Sequence, residues 1–287
     1  TTRYLNVEDP STIVDFPFTN LDKPYGIVAD TVNNYLFVSD ATAGKIYRYN
    51  FEGTHALTIL DVGVDPLVGY PYGLAMVDGK IYWGREGAIC RADIDGSNTQ
   101  VFLHLDLSYA PQMAIGLAYN PDDNMLYFTN DKYEYTGGVF RVNMDGMGLE
   151  MILDETDGVG IAIDWMHDKL YYCDYEQGVC MNDYNGANET VIDPAYVDAV
   201  IWGITIDMFN EHLYYTDKYD DKIIRSGLDG SNKTDFVTGV DCHALAWYSM
   251  DLTNIPDNHA ESATSIFPNP ATDHINITGI RKYEQMI

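Results

Sequence analysis

Residues 202–217, WGITIDMFNEHLYYTD, contain both sequence signatures that decide the fold. The first is WGITID, an apolar stretch with glycine at its second position, and the second is YYTD, an aromatic stretch with a polar last residue. The first recurs as YGIVAD at 25–30, YGLAMV at 72–77, IGLAYN at 115–120, VGIAID at 159–164 and HALAWY at 243–248. The second residues of successive copies are 41 to 47 residues apart in the chain. Six copies at this period indicate a repeat architecture.

The second signature recurs as FVSD at 37–40, YWGR at 82–85, YFTN at 127–130 and YYCD at 171–174. A third strand follows each copy and ends in a turn pair such as Asp95-Gly96 or Asn185-Gly186, and a fourth apolar stretch completes the unit. Such pairs between short strands favour β-hairpins. Four strands per repeat predict a β-propeller blade, because one such sheet cannot bury both of its faces alone.

We therefore predict an all-β, six-bladed propeller over residues 1–252. RYLNVED at 3–9 and STIVDF at 11–16 resemble a third and a fourth strand, whereas the last copy supplies only HALAWY. The last blade is expected to be closed by both chain ends, which removes an exposed sheet edge.

These motifs resemble the YWTD, or low-density-lipoprotein-receptor class B, propeller repeat. YYTD at 214–217, YYCD at 171–174, GIAID at 160–164 and LDGS at 228–231 carry the resemblance, which spans roughly residues 3–248. Arg85 and Asn130 depart from it by replacing the family's Asp, so their blades are expected to lack the Asp-centred contacts between blades. The resemblance implies a module that binds proteins and is not catalytic.

The composition changes after Leu252. Residues 253–265, TNIPDNHAESATS, are small and polar and are predicted to form a linker. SIFPNPATDHINITGI at 265–280 resembles the start of the C-terminal sorting domain of type IX secretion cargo from Bacteroidetes. The resemblance implies that 266–287 are part of a truncated β-sandwich, that the secretion machinery is a partner, and that the protein is extracellular or on the outer cell surface.

The charge limits the partners. Sixteen Lys and Arg against 44 Asp and Glu give a net charge of −28, which disfavours nucleic acid and anionic membranes and favours a monomer. No apolar run approaches the roughly 20 residues of a membrane-spanning helix.

No catalytic motif is present: there is no GxSxG, HExxH or P-loop pattern. His167 and His212 occupy equivalent turns, which indicates turn chemistry and not a metal site. Asp30, Asp164 and Asp207, with the pair Asp122 and Asp123, also lie in turns, where such side chains usually cap the backbone. We expect no cofactor; calcium bound by these oxygens is the alternative.

The inner strands of a propeller begin at one mouth of its channel. The predicted entry residues are Tyr25, Tyr72, Ile115, Val159, Trp202 and His243. The adjoining loops add Tyr133, Tyr135, Tyr175 and Tyr219. Aromatic rings supply contact area together with a polar tip, so this mouth is the predicted ligand site. The alternative is that these rings pack between blades or are ordinary turn residues.

Arg85 lies near the same mouth, where it either pairs with blade acids or holds a ligand carboxylate. Cys173 and Cys180 flank a short turn and are candidates for a hairpin disulfide. The alternative for these two residues is a pair of free buried thiols.

Three functions stay open. The first is a secreted or cell-surface binding module for a protein, peptide or glycan, without catalysis. The second is a metal-dependent propeller hydrolase or lactonase, which would require Asp40, Asn130, Asp174 and Asp217 to converge. The third is a purely structural surface module.

Overall fold

A computed structural model describes residues 2–6, 13–16, 21–50, 56–105, 112–130, 137–195, 200–242, 244–248 and 265–269. For 2–6, 13–16, 247–248 and 265–269, only the backbone is described. These ranges contain 24 strands and no helix. Within them there is accordingly no helix long and apolar enough to cross a membrane. The all-β prediction is confirmed.

Two strands, β1 (Thr2–Asn6) and β2 (Ile13–Phe16), come first in the chain. Five sheets of four consecutive strands follow, and we call them blades 1 to 5. Blade 1 consists of β3 (Pro24–Asp30), β4 (Tyr35–Asp40), β5 (Lys45–Asn50) and β6 (Leu57–Asp61). Blade 2 consists of β7 (Leu74–Val77), β8 (Lys80–Arg85), β9 (Ala88–Asp93) and β10 (Gln100–His104). Blade 3 consists of β11 (Leu117–Asn120), β12 (Met125–Asn130), β13 (Gly138–Asn143) and β14 (Glu150–Asp154). Blade 4 consists of β15 (Gly158–Asp164), β16 (Lys169–Asp174), β17 (Gly178–Asp183) and β18 (Thr190–Pro194). Blade 5 consists of β19 (Ile201–Asp207), β20 (His212–Asp217), β21 (Lys222–Gly227) and β22 (Thr234–Thr238).

One further sheet joins the two ends of the chain. Its strand order is β2-β1-β24-β23, where β23 is Ala244–Tyr248 and β24 is Ser265–Asn269. Strand β23 lies beside β19 of blade 5 and beside β3 of blade 1, so the ring of inner strands is closed. The structure therefore shows a propeller with five complete blades of the repeat, not the six predicted, and this mixed sheet stands between blades 5 and 1.

The predicted C-terminal sandwich is also absent from the described residues. Of 266–287, only 266–269 are described, and they pair with β23 and β1: Phe267 lies opposite Ala246, and Ile266 opposite both Trp247 and Leu5. The physical reason is that the N–H and C=O groups of β23 need partners, and β24 supplies them. Of the predicted linker at 253–265, only Ser265 is described, as the first residue of β24, so the domain boundaries stay predictions.

The core lies between adjacent blades. Phe37 and Ile46 of blade 1 share one fully buried cluster with Leu74 and Trp83 of blade 2. The indole N–H of Trp83 donates to the carbonyl of Val68 at 3.0 Å. Each blade thus buries its apolar faces only against its neighbours, as the repeat predicts.

The recurrent turn carboxylates hold the backbone. Asp30 Oδ1 accepts the main-chain N–H groups of Val32 and Asn33, each at 3.1 Å. Asp164 accepts from Met166 and His167 in the same way. In the part of the chain that the structure describes, no three His, Cys, Asp or Glu residues are grouped so that they can hold a metal ion. These hydrogen bonds are those of carboxylates that cap the backbone N–H groups of a turn.

Of the two alternatives for Cys173 and Cys180, the structure shows the pair of free buried thiols and not the hairpin disulfide. Cys173 lies opposite Val179, whereas Cys180 lies opposite Tyr172. Directly opposite residues share one face of a sheet and successive residues alternate, so the two thiols lie on opposite faces. Cys173 packs on the blade 5 side and Cys180 on the blade 3 side. Both are free and buried, and burial raises the pKa of Cys180 to about 12.

Candidate binding surface at the channel mouth

The inner strands begin on one face of the ring, the mouth face, and end on the other, the far face. At the mouth face, the glycine of the first signature brings neighbouring inner strands into contact. The Gly73 N–H donates to the Ile115 carbonyl at 2.8 Å. A Cβ atom added at Gly73 would lie only 2.3 Å from that oxygen. Glycine is therefore required because the two backbones approach so closely.

The third residue of the second signature joins neighbouring blades. Ser39 Oγ donates to the Tyr72 carbonyl at 2.6 Å and accepts the Gly26 N–H at 2.7 Å. Thr129 makes the same two bonds between blades 3 and 4. This hydroxyl satisfies one buried donor and one buried acceptor at the start of adjacent inner strands.

The fourth residue of that signature accepts hydrogen bonds from the backbone of the loops in its own blade. Asp40 accepts the main-chain N–H groups of Asp22 at 2.6 Å and Ala43 at 3.0 Å. Asn130 Oδ1 accepts the N–H groups of Gln112 and Met113, each at 3.0 Å, so asparagine makes the same kind of backbone contact within its blade. The equivalent residues are buried, lie one to a blade and bind backbone: Asp40, Asn130, Asp174 and Asp217.

The channel beneath the mouth is narrow and apolar. Its cavity of about 70 Å³ is lined by the repeat's glycines and by one aliphatic residue from each inner strand: Ile27, Leu74, Leu117, Ile161, Ile204 and Leu245. A hard cation such as calcium needs six to eight oxygen ligands. The described side chains that line this channel do not supply them, so these residues do not fit a channel-held metal ion.

An aromatic cap covers the mouth end of the channel. The Tyr25 ring centroid lies 4.9 Å from that of Tyr72 and 5.6 Å from that of Trp202, both edge to face. Tyr175 packs edge-on against Trp202 at 5.7 Å. Ile115 and Val159 belong to the same cluster. The structure thus brings together four of the predicted aromatic residues; Tyr25 is buried, at 9% exposure, and the other three are half-buried.

Sequence reasoning missed Lys218. Its Nζ lies 5.5 Å from the centroid of the Trp202 ring, within the range of cation–π contact. Burial lowers the pKa of Lys218; Asp241 opposes this shift, and Lys23 adds to it. The only available signal was its position directly after the YYTD signature.

The remaining predicted site residues do not join the cap. Tyr219 is 62% exposed, and its N–H is bound by Asp217. Arg85 donates to the Glu86 carbonyl at 2.9 Å, and its side chain lies against Gly69 and Cys90. Tyr133, Tyr135 and His243 lie outside the described residues.

No model of a known protein family matches the sequence. Among solved structures, the chain resembles one in the nidogen/laminin complex, with a TM-score of 0.68 and 20% identity over 78% of this chain and 83% of that one. It also resembles a gluconolactonase from Xanthomonas campestris, with a TM-score of 0.69 and 16% identity over 96% and 89%. A third similar structure is the calcium-binding protein regucalcin from Agrobacterium tumefaciens, with a TM-score of 0.68 and 12% identity over 98% and 96%. At these identities the similarity shows the fold alone, a β-propeller.

Proposed function

We propose that this protein is a secreted or cell-surface binding module that recognises a protein, peptide or glycan at the mouth face and carries no catalytic site. The observation that supports the proposal is the aromatic cap with Lys218 beside it. Tyr72, Tyr175 and Trp202 are half-buried rings whose positions are held by edge-to-face contacts. Rigid rings offer contact area at low entropic cost.

The cap also sets where a ligand rests. A 70 Å³ channel is too small for a sugar ring or a large side chain, so the ligand lies across the cap. In this proposal the mixed sheet acts as the sixth blade and keeps the ring closed during binding. Export of the protein by the type IX route is part of the same proposal and rests on the sorting-domain resemblance at 265–280.

The hydrolase alternative draws on the gluconolactonase and regucalcin similarities, which leave calcium open as a ligand. Two observations weigh against it: the four polar strand-end residues bind backbone in separate blades, and aliphatic side chains line the channel. The buried ring of Tyr25 is the observation that favours the alternative of a purely structural module.

The test is a glycan and peptide array probed with the whole chain, followed by calorimetry on each hit. Trp202→Ala removes the centre of the cap, and we expect it to weaken binding at least tenfold, the loss of about 1.4 kcal/mol. Phe209→Ala, on the far face, is the matched control and is expected to bind normally. Equal affinity of Trp202→Ala and the unmodified protein would refute the mouth as the site.

A calcium titration followed by melting temperature separates the alternatives. A rise that a chelator reverses supports a bound metal and the hydrolase. No rise and no array hit supports the structural module.

A further inference from the structure

The mouth end of blade 2 differs from that of the other four blades. The second signature ends there in Gly84 and Arg85, where the other blades have Ser, Thr or Cys followed by Asp or Asn. Arg85 is the last residue of β8, so it lies on the same face of the ring as the aromatic cap. The carbonyl of Gly84 accepts the N–H of Tyr72, a residue of the cap, at 2.8 Å. The backbone of Arg85 therefore begins next to the cap.

Blade 2 does not need a carboxylate at this position. In the other blades the equivalent Asp or Asn accepts N–H groups of the mouth loops. The loop between the second and third strands of blade 2 has only two residues, Glu86 and Gly87, whereas the equivalent loops have three to seven. The Gly87 N–H donates to the Gln112 carbonyl at 2.7 Å instead. The turn is thus held without a side-chain acceptor, and Arg85 does not replace a missing backbone contact.

The guanidinium of Arg85 is held in position, but no described acid neutralises it. Its Nη1 donates to the Glu86 carbonyl at 2.9 Å, and its Cδ packs against Gly69. Within the described ranges, no carboxylate forms an ion pair with it. The Nε atom is buried and unpartnered, whereas Nη2 makes no hydrogen bond to a described residue and is not a buried atom. Nη2 is therefore the nitrogen that a ligand can reach.

A guanidinium without an ion-pair partner is unexpected in a chain with 44 Asp and Glu against 16 Lys and Arg. Its planar set of donors matches the two oxygens of a carboxylate better than any other common anion except phosphate. Apolar surface lies beside it: Tyr70, the residue after Gly69, is 62% exposed, and Tyr72 is half-buried in the cap. A ligand with a carboxylate next to an apolar group therefore fits this side of the mouth.

We propose that Arg85 binds the carboxylate of an Asp or Glu side chain in a peptide ligand whose neighbouring apolar residues rest on the aromatic cap. This inference rests on the proposed function and names the ligand class of the same site. A peptide is favoured over an acidic glycan, because a net charge of −28 repels a polymer with repeated negative charges. A peptide can carry one acidic residue among basic ones, and the exposed acids of the mouth loops, such as Glu86 and Glu155, attract the basic ones.

The test is calorimetric titration of the whole chain with peptides selected on a random-sequence array. Each hit is made in two forms, one with its Asp or Glu and one with Asn or Gln at that position. We expect the neutral form to bind the unmodified protein at least tenfold more weakly. Arg85→Gln is expected to weaken binding of the acidic form by a similar factor and to remove the difference between the two forms, because both changes break one contact.

Lys80→Gln is the matched control. Lys80 is the first residue of β8, at the opposite end of the strand from Arg85, and its ion pair with Asp93 is partly exposed. This variant makes the same change in net charge on the far face, so it separates a local contact from the long-range effect of charge. We expect it to bind within twofold of the unmodified protein. Melting temperatures show whether each variant is folded; if Arg85→Gln is unstable, the two peptide forms decide the outcome on the unmodified protein.

The outcomes distinguish this proposal from the one on which it rests. If Trp202→Ala abolishes binding while the acidic and neutral peptides bind equally well, the mouth is the site and the role of Arg85 is refuted. If no peptide binds at about 1 mM but a glycan binds in a manner that depends on Trp202, the peptide ligand is refuted and the mouth again stands. If neither Trp202→Ala nor Arg85→Gln changes the affinity of any hit, both proposals fail.

Discussion

Replacement of Gly73 by alanine tests the contact between inner strands most directly. The added Cβ atom would lie 2.3 Å from the Ile115 carbonyl oxygen and 3.0 Å from the Cα of Gly116. Blades 2 and 3 must therefore separate by several tenths of an ångström. This overpacking costs about 1–3 kcal/mol, and weakening of the 2.8 Å bond from the Gly73 N–H adds about 1 kcal/mol.

We expect a total loss of about 2–4 kcal/mol in the free energy of unfolding, which corresponds to a fall of about 5–15 °C in melting temperature for a chain of this size. Scanning calorimetry measures both quantities. The matched control is Gly63→Ala, where the Cβ meets only the side-chain oxygen of Asp61 at 3.2 Å, and the expected change is within about 0.5 kcal/mol. If the two variants melt within 2 °C of each other, glycine is not needed to keep the strands close, and our reasoning about the repeat fails.

Three further predictions concern the described residues. Thr129→Val leaves the Gly116 N–H and the Val159 carbonyl without their hydroxyl partner, so we expect the free energy of unfolding in denaturant to fall by about 2 kcal/mol. Thr129→Ser keeps the hydroxyl and is expected to retain stability, and equal losses in both variants would contradict this. The hydrogen bond to Asp164 raises the pKa of His167 above 6.5, so its stabilising effect is complete below pH 6.5 and is lost as the pH rises through the folded-state pKa. The difference in melting temperature between His167→Gln and the unmodified protein is therefore expected to be larger at pH 6 than at pH 8, and a difference that does not depend on pH would contradict this. The cysteines of the described blades are free, so dithiothreitol is expected to leave the melting temperature unchanged, and a fall of several degrees would indicate a disulfide.

Much of the fold could be predicted because its signals are local. The alternation of apolar residues and the turn pairs such as Asp95-Gly96 define each hairpin within about ten residues of chain. The glycine of the first signature also identified the entry of each inner strand. Proximity across a turn left the disulfide open, and the register decides against it because it places Cys173 and Cys180 on opposite faces.

Three strands of the closing sheet were predicted from the two chain ends, but its second strand was not. Its first strand has Ala244 where the other copies have glycine, so this junction accommodates a Cβ atom. Its second strand, Ser265–Asn269, lies beyond a segment that was predicted to be a linker and has no aromatic signature. Pairing between strands this far apart leaves no local trace in the chain.

The sequence by itself determined the all-β class, the repeat, the order of strands within each blade and the residues that enter the mouth. Each of these depends on interactions between neighbouring residues or across one hairpin. Only the tertiary structure decided that Lys218 lies over Trp202, that Tyr25 is the buried ring of the aromatic cap, and that Met181 lines a groove between blades 4 and 5. The physical reason is that these contacts join different blades or different loops on one face. Most of the residues in contact are about 40 residues or more apart in the chain, so their distances depend on how closely the blades pack.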